Sequence, residues 1–293
     1  MACDHELTCS LSGATRLYGI LGYPIAHSLS PLMQTIAFQH HGLDCLYVPF
    51  PVLPSQLPQA FAGAIALGLC GLNVTIPHKE AVLPLLDELS SEAQFVGAVN
   101  TVAFRDGRTI GYNTDVAGFL QPLQALGVNL CDRAACVLGA GGAARAVAMA
   151  ILQAGCTALT LTNRTLERAE QLVLALRAHF PQAKLRCVPF TQAASAVHDS
   201  TLVVNATSVG LDEHGGELLP DTCLHAKHVV YDIVYRPLHT PLLEAAQRRG
   251  ATIVPGIDML IGQGAEAFRI WTGQSFPIAE IRRRLRPFLE ARR

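Results

Sequence analysis

Val137-Leu138-Gly139-Ala140-Gly141-Gly142-Ala143-Ala144 closes a short apolar run and opens an alanine-rich stretch. That order predicts a strand turning sharply into a helix, because glycine lets the backbone take conformations that a Cβ forbids. The free N–H groups of the first helical turn then point outward, and an anion such as a pyrophosphate can approach the bare backbone. Ala144 stands where a third glycine is common, and alanine is tolerated there. A glycine-rich run alone also occurs at ordinary tight turns. Here the preceding strand and the following apolar helix favour the binding reading.

Outward from this turn, short β-rich runs alternate with helical patterns, which argues for α/β architecture with parallel strands. In the second half, strands are expected at Ala135–Leu138, Leu159–Thr162, Leu185–Val188, Leu202–Asn205, Val229–Ile233 and Thr252–Val254. Helices are expected at Ala143–Ala154, Leu166–Ala178 and Pro241–Arg249, then at Asp258–Trp271 and Ile278–Ala291. The first half predicts strands at Leu17–Leu21, Leu46–Phe50 and Leu72–Ile76. Ser30 and Pro31 read as N-cap and first residue of a helix that Gly42 stops, and a further helix ends at Gly68. Another helix is expected to begin around Lys79, followed by a hairpin turned at Asp106-Gly107 and a helix over Asp115–Leu126.

The chain has 293 residues, half of them hydrophobic and only 15% charged, with a formal net charge of -1. That length suggests about two domains, with enough apolar content to form a core without disulfides or a structural metal. There is no basic excess to hold a nucleic acid. Nine cysteines are scattered without a C-x-x-C pair, which fits buried thiols in a reducing cytoplasm. No basic-then-apolar leader pattern begins the chain, and apolar runs such as Ala134–Leu138 fall far short of the ~20 residues of a membrane span. Cys223-Leu224-His225-Ala226-Lys227-His228 has a loose metal-like spacing but lacks a second ligand cluster, so no metal is expected. Arg282–Arg284 with Arg292 and Arg293 reads as a solvated helix face.

The second strand of the glycine-turn unit bears on cofactor choice. An NAD site normally places Asp or Glu about 20 residues beyond the first glycine, on the ribose 2′-OH. This chain instead has Leu161-Thr162-Asn163-Arg164-Thr165, with Arg168 one turn later. A guanidinium pairs with a 2′-phosphate that a carboxylate would repel, so NADP is favoured. The same residues also suit a solvated helix start with Thr165 as N-cap.

Four first-half segments are too polar and too particular for core. They are Gly22-Tyr23-Pro24-Ile25-Ala26-His27-Ser28-Leu29-Ser30-Pro31, Asn73-Val74-Thr75-Ile76-Pro77-His78-Lys79-Glu80, Gly97-Ala98-Val99-Asn100-Thr101 and Gly111-Tyr112-Asn113-Thr114-Asp115. The second half adds Asn205-Ala206-Thr207-Ser208, Asp232-Ile233-Val234-Tyr235 and Met259-Leu260-Ile261-Gly262-Gln263-Gly264. In this order and spacing the segments resemble the shikimate dehydrogenase family through nearly the whole chain.

The resemblance implies a two-domain α/β protein, with a Rossmann-like NADP domain over 116–255 inserted in a substrate-binding domain of 1–115 plus 256–293. It implies Lys79 and Asp115 as the catalytic pair. Ser28 and Ser30 match hydroxyls that hold a substrate carboxylate; Asn73, Thr75, Asn100 and Gln263 match groups for ring hydroxyls; Tyr235 matches a further pocket residue. Gly139, Ala140, Gly141, Gly142, Ala143, Asn163, Arg164, Thr165, Arg168, Thr207 and Gly256 fall at the cofactor. The implied reaction is reversible NADPH-dependent reduction of 3-dehydroshikimate to shikimate, in aromatic amino acid biosynthesis, by a monomer or homodimer. A quinate/shikimate or aminoshikimate dehydrogenase using NAD(P), or a non-catalytic sensor on the same fold, stands as the alternative.

The residue types suit that chemistry. A hydride delivered to a ketone leaves a developing alkoxide, which a lysine ammonium can stabilise and protonate. Asp115 is expected to steady the ammonium and accept from a neighbouring hydroxyl. Individually, Lys79 also reads as an exposed lysine in a helix's first turn, and Asp115 and Ser30 as N-caps. His78 is the lesser acid–base candidate beside Lys79.

Overall fold

Two six-stranded sheets organise the chain in the computed structural model, which describes residues 11–210 and 218–290. Along the first third run β1 (Arg16–Gly22), α1 (Ser30–His40), β2 (Cys45–Pro51), α2 (Leu57–Ala66), β3 (Gly71–Val74), β4 (Glu88–Leu89), α3 (Ser91–Val96), β5 (Thr101–Arg105) and β6 (Arg108–Tyr112). Then follow α4 (Asp115–Ala125), β7 (Ala134–Leu138), α5 (Gly142–Gln153), β8 (Ala158–Asn163), α6 (Leu166–His179), β9 (Lys184–Pro189), α7 (Ala193–His198) and β10 (Leu202–Asn205). β11 (Val229–Asp232), α8 (Pro241–Arg248), β12 (Thr252–Pro255), α9 (Gly256–Thr272) and α10 (Ile278–Glu290) complete the order.

The first compact unit holds residues 11–90, 99–112 and 268–285. Its sheet runs β2-β1-β3-β5-β6-β4. β1 pairs in parallel with β2 and β3, whereas β5 is antiparallel to both β3 and β6. Asp106 and Gly107 both take positive φ, 50° and 74°, as a two-residue hairpin turn of the twist-compatible type requires. An aromatic cluster fills the core: Tyr18 packs on Phe38 and Trp271 with ring centroids 5.0 and 5.4 Å apart, and Phe38 on Phe268 at 5.5 Å. Trp271 lies flat against Gly71, where a Cβ would overlap the indole, and its Nε1–H donates to the Val102 carbonyl at 3.0 Å. The chain's late segment thereby returns to the first sheet.

The second unit comprises 91–98, 113–210, 218–267 and 286–290. Residues 91–98, 113–115, 256–267 and 286–290, placed by the sequence boundaries with the first domain, group here with the second sheet. The grouping has a packing basis, since Val96, Ala98, Val116, Phe119 and Met259 share one apolar core with α5. The sheet is entirely parallel in the order β12-β11-β10-β7-β8-β9. This is the doubly wound order, with its reversal between β7 and β10. Strands covered on both faces need continuous apolar runs, and β10 is buried at every residue. Ala144 and Ala146–Leu152 of α5 are all buried, so its small side chains let it lie deep against the sheet. The protein is a two-domain α/β chain whose Rossmann-like unit interrupts a mixed α/β one.

Three local expectations need correction. No helix begins at Lys79: β3 ends at Val74, residues 76–82 turn, and a short 3-10 turn covers Leu83–Leu85. Pro84 lacks an N–H to donate and its ring crowds the preceding turn, which disfavours an α-helical ladder through this stretch. α1 takes Leu29 as N-cap, putting Ser30 and Pro31 inside the first turn, and Thr114 rather than Asp115 caps α4. The short α3, α7 and β4 lacked a legible pattern. Cys223–His228 leads into β11 as an ordinary connection, and among the described residues no group of three or more His, Cys, Asp or Glu is arranged to hold a metal. No helix among the described residues is long and apolar enough to cross a membrane. Arg292 and Arg293 lie outside the described residues.

Candidate active site

In the first unit, the polar segments meet at one edge of the sheet. β1 and β3 run in parallel and deliver 23–30 and 75–79 beyond their carboxyl ends, while the antiparallel register Asn73↔Thr101 brings Asn100 to the same edge. The Gly22 carbonyl accepts from Val52 N–H at 3.1 Å and the Ile76 carbonyl from Tyr23 N–H at 3.0 Å, which ties the loops together. Ser30 is buried, and its N–H donates to Ser28 Oγ at 3.3 Å.

Asn73 is buried with its amide heavily committed. Oδ1 accepts the Tyr47 hydroxyl at 2.6 Å, and Nδ2 donates to the Asn100 carbonyl and to Thr101 Oγ1, both at 3.0 Å. A further partner for Asn73 therefore has to be a donor, since its two N–H groups are used. Burial pushes the Tyr47 hydroxyl well above its ordinary value, opposed by the Ser30 side chain. Thr101 Oγ1 in turn donates to Asn100 Oδ1 at 3.2 Å. Thr75 is half-buried beside Gly22, where a Cβ would come within 2.5 Å of its methyl.

Lys79 is held through its backbone and its neighbour. Its carbonyl accepts from Val99 N–H at 2.8 Å, next to Asn100, and the Thr75 carbonyl accepts from His78 N–H at 2.8 Å. His78 is buried and its Nε2 lies 2.7 Å from the Val52 carbonyl. That bond gives His78 a structural role as an anchor for the turn that presents Lys79.

In the second unit, residues from five chain segments wall a cleft of about 500 Å³ at the carboxyl edge of the parallel sheet. Of the expected cofactor residues, Gly139, Ala140, Gly141, Asn163, Arg164 and Arg168 line it together with Thr207. Phe190, Ala206, Ser208, Val209 and Leu218 complete the wall; Ala206 and Ser208 lie in the 205–208 segment singled out above, while Phe190, Val209 and Leu218 carry no sequence pattern of their own. The signal available for them is position alone, since 190 and 206–209 directly follow β9 and β10. Gly142, Ala143 and Thr165 flank the lining without belonging to it.

Gly139 has φ of 117°, and a Cβ there would sit 2.8 Å from the Ala206 carbonyl oxygen. Glycine is thus needed to bring the β7–α5 turn against the loop after β10. At Gly141 and Gly142 a Cβ would meet no protein atom within 4 Å, so the protein's own packing does not call for glycine there. A bare backbone at the start of α5, with no side chain capping it, is a cradle that added Cβ atoms would fill. Arg164 and Arg168 are exposed, and Asn163 Nδ2 donates to the Thr165 carbonyl at 2.9 Å, shaping the turn that carries them. These features fit a phosphorylated dinucleotide: backbone donors for a pyrophosphate, guanidinium groups for a further phosphate, and no carboxylate on the described wall.

Asp115, Gln263, Tyr235 and Gly256 also belong to the second unit. Asp115 is buried at the first position of α4, with its N–H bonded to Asn113 Oδ1 at 3.1 Å, while Asn113 Nδ2 donates to the Ala98 carbonyl at 3.0 Å. A carboxylate in a helix's first turn is electrostatically favoured. Gln263 sits where α9 crosses α4 at Gly118, and its Nε2 donates to the Leu260 carbonyl at 2.9 Å. Gly256 opens α9 against the backbone of Ile233 and Val234, which a Cβ would overlap. Tyr235 follows that same backbone, and burial raises its hydroxyl.

Known proteins match both units. The substrate-binding domain of shikimate dehydrogenase matches residues 20–102, the shikimate/quinate 5-dehydrogenase model 123–211, and the shikimate 5′-dehydrogenase C-terminal domain 256–286. The chain is 48% identical over 274 residues to the shikimate dehydrogenase (NADP(+)) of Symbiobacterium thermophilum, covering 92% of this chain and 93% of that one. The Thermus thermophilus shikimate 5-dehydrogenase in complex with NADP(H) and shikimate is 41% identical with a TM-score of 0.83, covering 93% and 99%. The quinate dehydrogenase of Corynebacterium glutamicum in complex with NAD is 32% identical with a TM-score of 0.87, covering 93% and 99%.

Proposed function

The chain belongs to the shikimate dehydrogenase family, and from that premise we propose that it interconverts 3-dehydroshikimate and shikimate with NADP, on the route to aromatic amino acids. The observation that carries the proposal is the pairing, in one chain, of two differently equipped sites. One is a glycine-walled cleft bearing Arg164 and Arg168; the other is a sheet edge presenting Ser, Thr and Asn side chains. The second domain, over 116–255, takes the cofactor, and 1–115 plus 256–293 serves the substrate.

Bound NADPH supplies the hydride for the ketone carbon. The Lys79 ammonium stabilises the oxygen as negative charge develops and gives it a proton. Asp115 is a carboxylate acceptor for a substrate hydroxyl, and it orients that group through a charge-assisted hydrogen bond. Ser28 and Ser30 donate hydroxyl protons to the substrate carboxylate. Asn73, Thr75, Asn100, Tyr235 and Gln263 pair with ring hydroxyls; Asn73, whose N–H groups are used internally, acts there as an acceptor. Gly139–Ala143 receive the pyrophosphate, Arg164 and Arg168 the 2′-phosphate, and Asn163, Thr165, Thr207 and Gly256 shape the cofactor's surroundings. The enzyme works in the cytoplasm as a monomer or homodimer; none of its described cysteines stands in a disulfide, which is compatible with a reducing compartment.

Initial rates with shikimate and with quinate, each with NADP⁺ and with NAD⁺, test the assignment. The expected result is the highest kcat/KM for shikimate with NADP⁺. A preference for quinate or for NAD⁺ supports the quinate/shikimate alternative instead, and ligand binding without turnover supports a sensor.

A further inference from the structure

Asp232 ends β11 with a wholly buried carboxylate that no step above employs. Three donors converge on it: Asn205 Nδ2 at 2.9 Å and Val234 N–H at 3.0 Å reach Oδ1, and Thr240 Oγ1 reaches Oδ2 at 2.6 Å. Asn205, also fully buried, stands on the neighbouring strand, opposite Asp232 in the parallel register. Its Nδ2 also donates to the Val209 carbonyl at 3.1 Å. Its Oδ1 accepts from Thr207 N–H at 3.0 Å and Thr207 Oγ1 at 2.7 Å, and Thr207 Oγ1 accepts from Val209 N–H at 3.1 Å. Thr207 and Val209 both wall the dinucleotide cleft.

An amide can be turned over, and its two ends differ little in shape. Here the two orientations are far from equivalent. Turned over, Asn205 would point an oxygen at a carboxylate and an NH₂ at the Thr207 donors. An ionised carboxylate only accepts, so Asp232 selects the orientation in which Asn205 Oδ1 faces the loop.

We propose that Asp232 is a positioning residue for the cofactor, acting through the Asn205 amide to hold the 206–209 wall in the shape that receives the dinucleotide. This rests on assigning the cleft to NADP. Asp232 touches neither cofactor nor substrate; its effect is preorganisation, which lowers the ordering cost of binding. The same carboxylate takes Thr240, the N-cap of α8, so the cleft wall and the start of α8 share one anchor.

Replacing Asp232 with Ala and with Asn separates positioning from plain structural damage. In Asp232→Asn the amide oxygen can occupy the Oδ1 place, facing Asn205 and Val234, and the NH₂ can face Thr240 Oγ1, which is able to accept. Asp232→Ala is expected to raise the KM and Kd for NADP⁺ by about tenfold or more, with kcat at saturating cofactor and the KM for shikimate within about threefold. Asp232→Asn should keep all of these within about threefold of the native chain. The proposal is overturned by an unchanged NADP⁺ Kd in Asp232→Ala, by equal losses in both variants, or by kcat and both KM values worsening together. Should Asp232→Ala fail to fold, Asn205→Ser cuts the same link at its other end and must raise the Kd likewise; an unchanged Kd there overturns it too. Calorimetric titration with NADP⁺ needs no turnover. A native chain that binds NADP⁺ without oxidising shikimate sinks the proposed reaction yet leaves this comparison intact, whereas no binding at all sinks both.

Discussion

Replacing Gly118 with alanine tests whether the crossing of α4 and α9 sets the active geometry. The added Cβ would lie 2.6 Å from Gln263 N, 2.8 Å from its Cβ and 2.9 Å from its Cα. All three are backbone or first side-chain atoms, so no rotamer change relieves the overlap. Nor can the neighbour retreat along the same face, because Gly262 is itself pressed against Gly118, where a Cβ would be 2.8 Å from the Gly118 carbonyl oxygen. Restoring ordinary contact, near 3.5 Å, requires the helices to separate locally by roughly 0.5–1 Å. Overpacking of this kind costs about 1–3 kcal/mol, partly offset by about 0.5–1 kcal/mol from alanine's better helix propensity. A net loss of about 1–2 kcal/mol corresponds to a fall of a few degrees in Tm. The activity effect should be larger in proportion. α4 begins with Asp115 and α9 carries Gln263, and a displacement of about 1 Å at a reacting geometry can cost on the order of 100-fold. The assay pairs initial rates of shikimate oxidation at saturating NADP⁺ with thermal denaturation. The expected outcome is a 10- to 100-fold loss of kcat/KM for shikimate, as an order of magnitude, in a protein that still unfolds cooperatively. Turnover near that of the native chain, alongside the lowered Tm, would refute the idea that this crossing positions the two side chains.

Arg164→Ala should weaken NADP⁺ by about 10- to 100-fold while leaving NAD⁺ nearly unchanged, since a charge-assisted hydrogen bond contributes about 1.5–3 kcal/mol; an equal fall with both cofactors would contradict the role in 2′-phosphate recognition. Lys79→Ala is expected to lower kcat by orders of magnitude with shikimate still bound, and near-normal turnover would remove Lys79 from the chemistry. Two buried groups make opposed contributions to stability in acid. Burial, opposed by hydrogen bonds from Thr240, Val234 and Asn205, lifts Asp232 from 3.8 to about 6, so the folded state holds its proton more tightly and stability falls as pH rises through that window. Burial, then the neighbouring His225, lowers His228 from 6.5 to about 4, so the unfolded state binds the proton more tightly and stability rises with pH there. Each effect is at most about 3 kcal/mol, and they largely cancel. Denaturant titrations between pH 4 and pH 6.5 should show His228→Gln losing stability, relative to the native chain, as pH rises and Asp232→Asn gaining it; parallel profiles would count against both shifts.

The second domain is legible because its strands are continuous apolar runs bounded by turn residues, a signal that each segment carries alone. The run Leu202–Asn205 matches β10 to the residue, and the glycine turn stands out from residue type and spacing. The stretch around Lys79 departs from its local pattern for the opposite reason. Its conformation depends on His78 reaching the Val52 carbonyl, a bond between residues 26 apart in sequence, and local pattern cannot show such a partner. Phe190, Val209 and Leu218 escape a sequence reading because nothing in their own neighbourhoods distinguishes them from ordinary loop residues. Only the strand order brings them onto one wall.

The sequence by itself determined that this is an α/β chain with a dinucleotide turn, that Arg164 stands where an NAD site would have a carboxylate, and which polar segments serve as candidates. These properties are carried by residue type and short spacing, which survive without knowledge of the fold. Tertiary structure alone decided which groups remain available for chemistry. Asn73 proved to have both N–H groups engaged, His78 to be bonded to the Val52 carbonyl, and Asp232 to accept from an amide on the next strand. Hydrogen-bond saturation is a property of partners from distant segments, and those partners meet only when the sheets form.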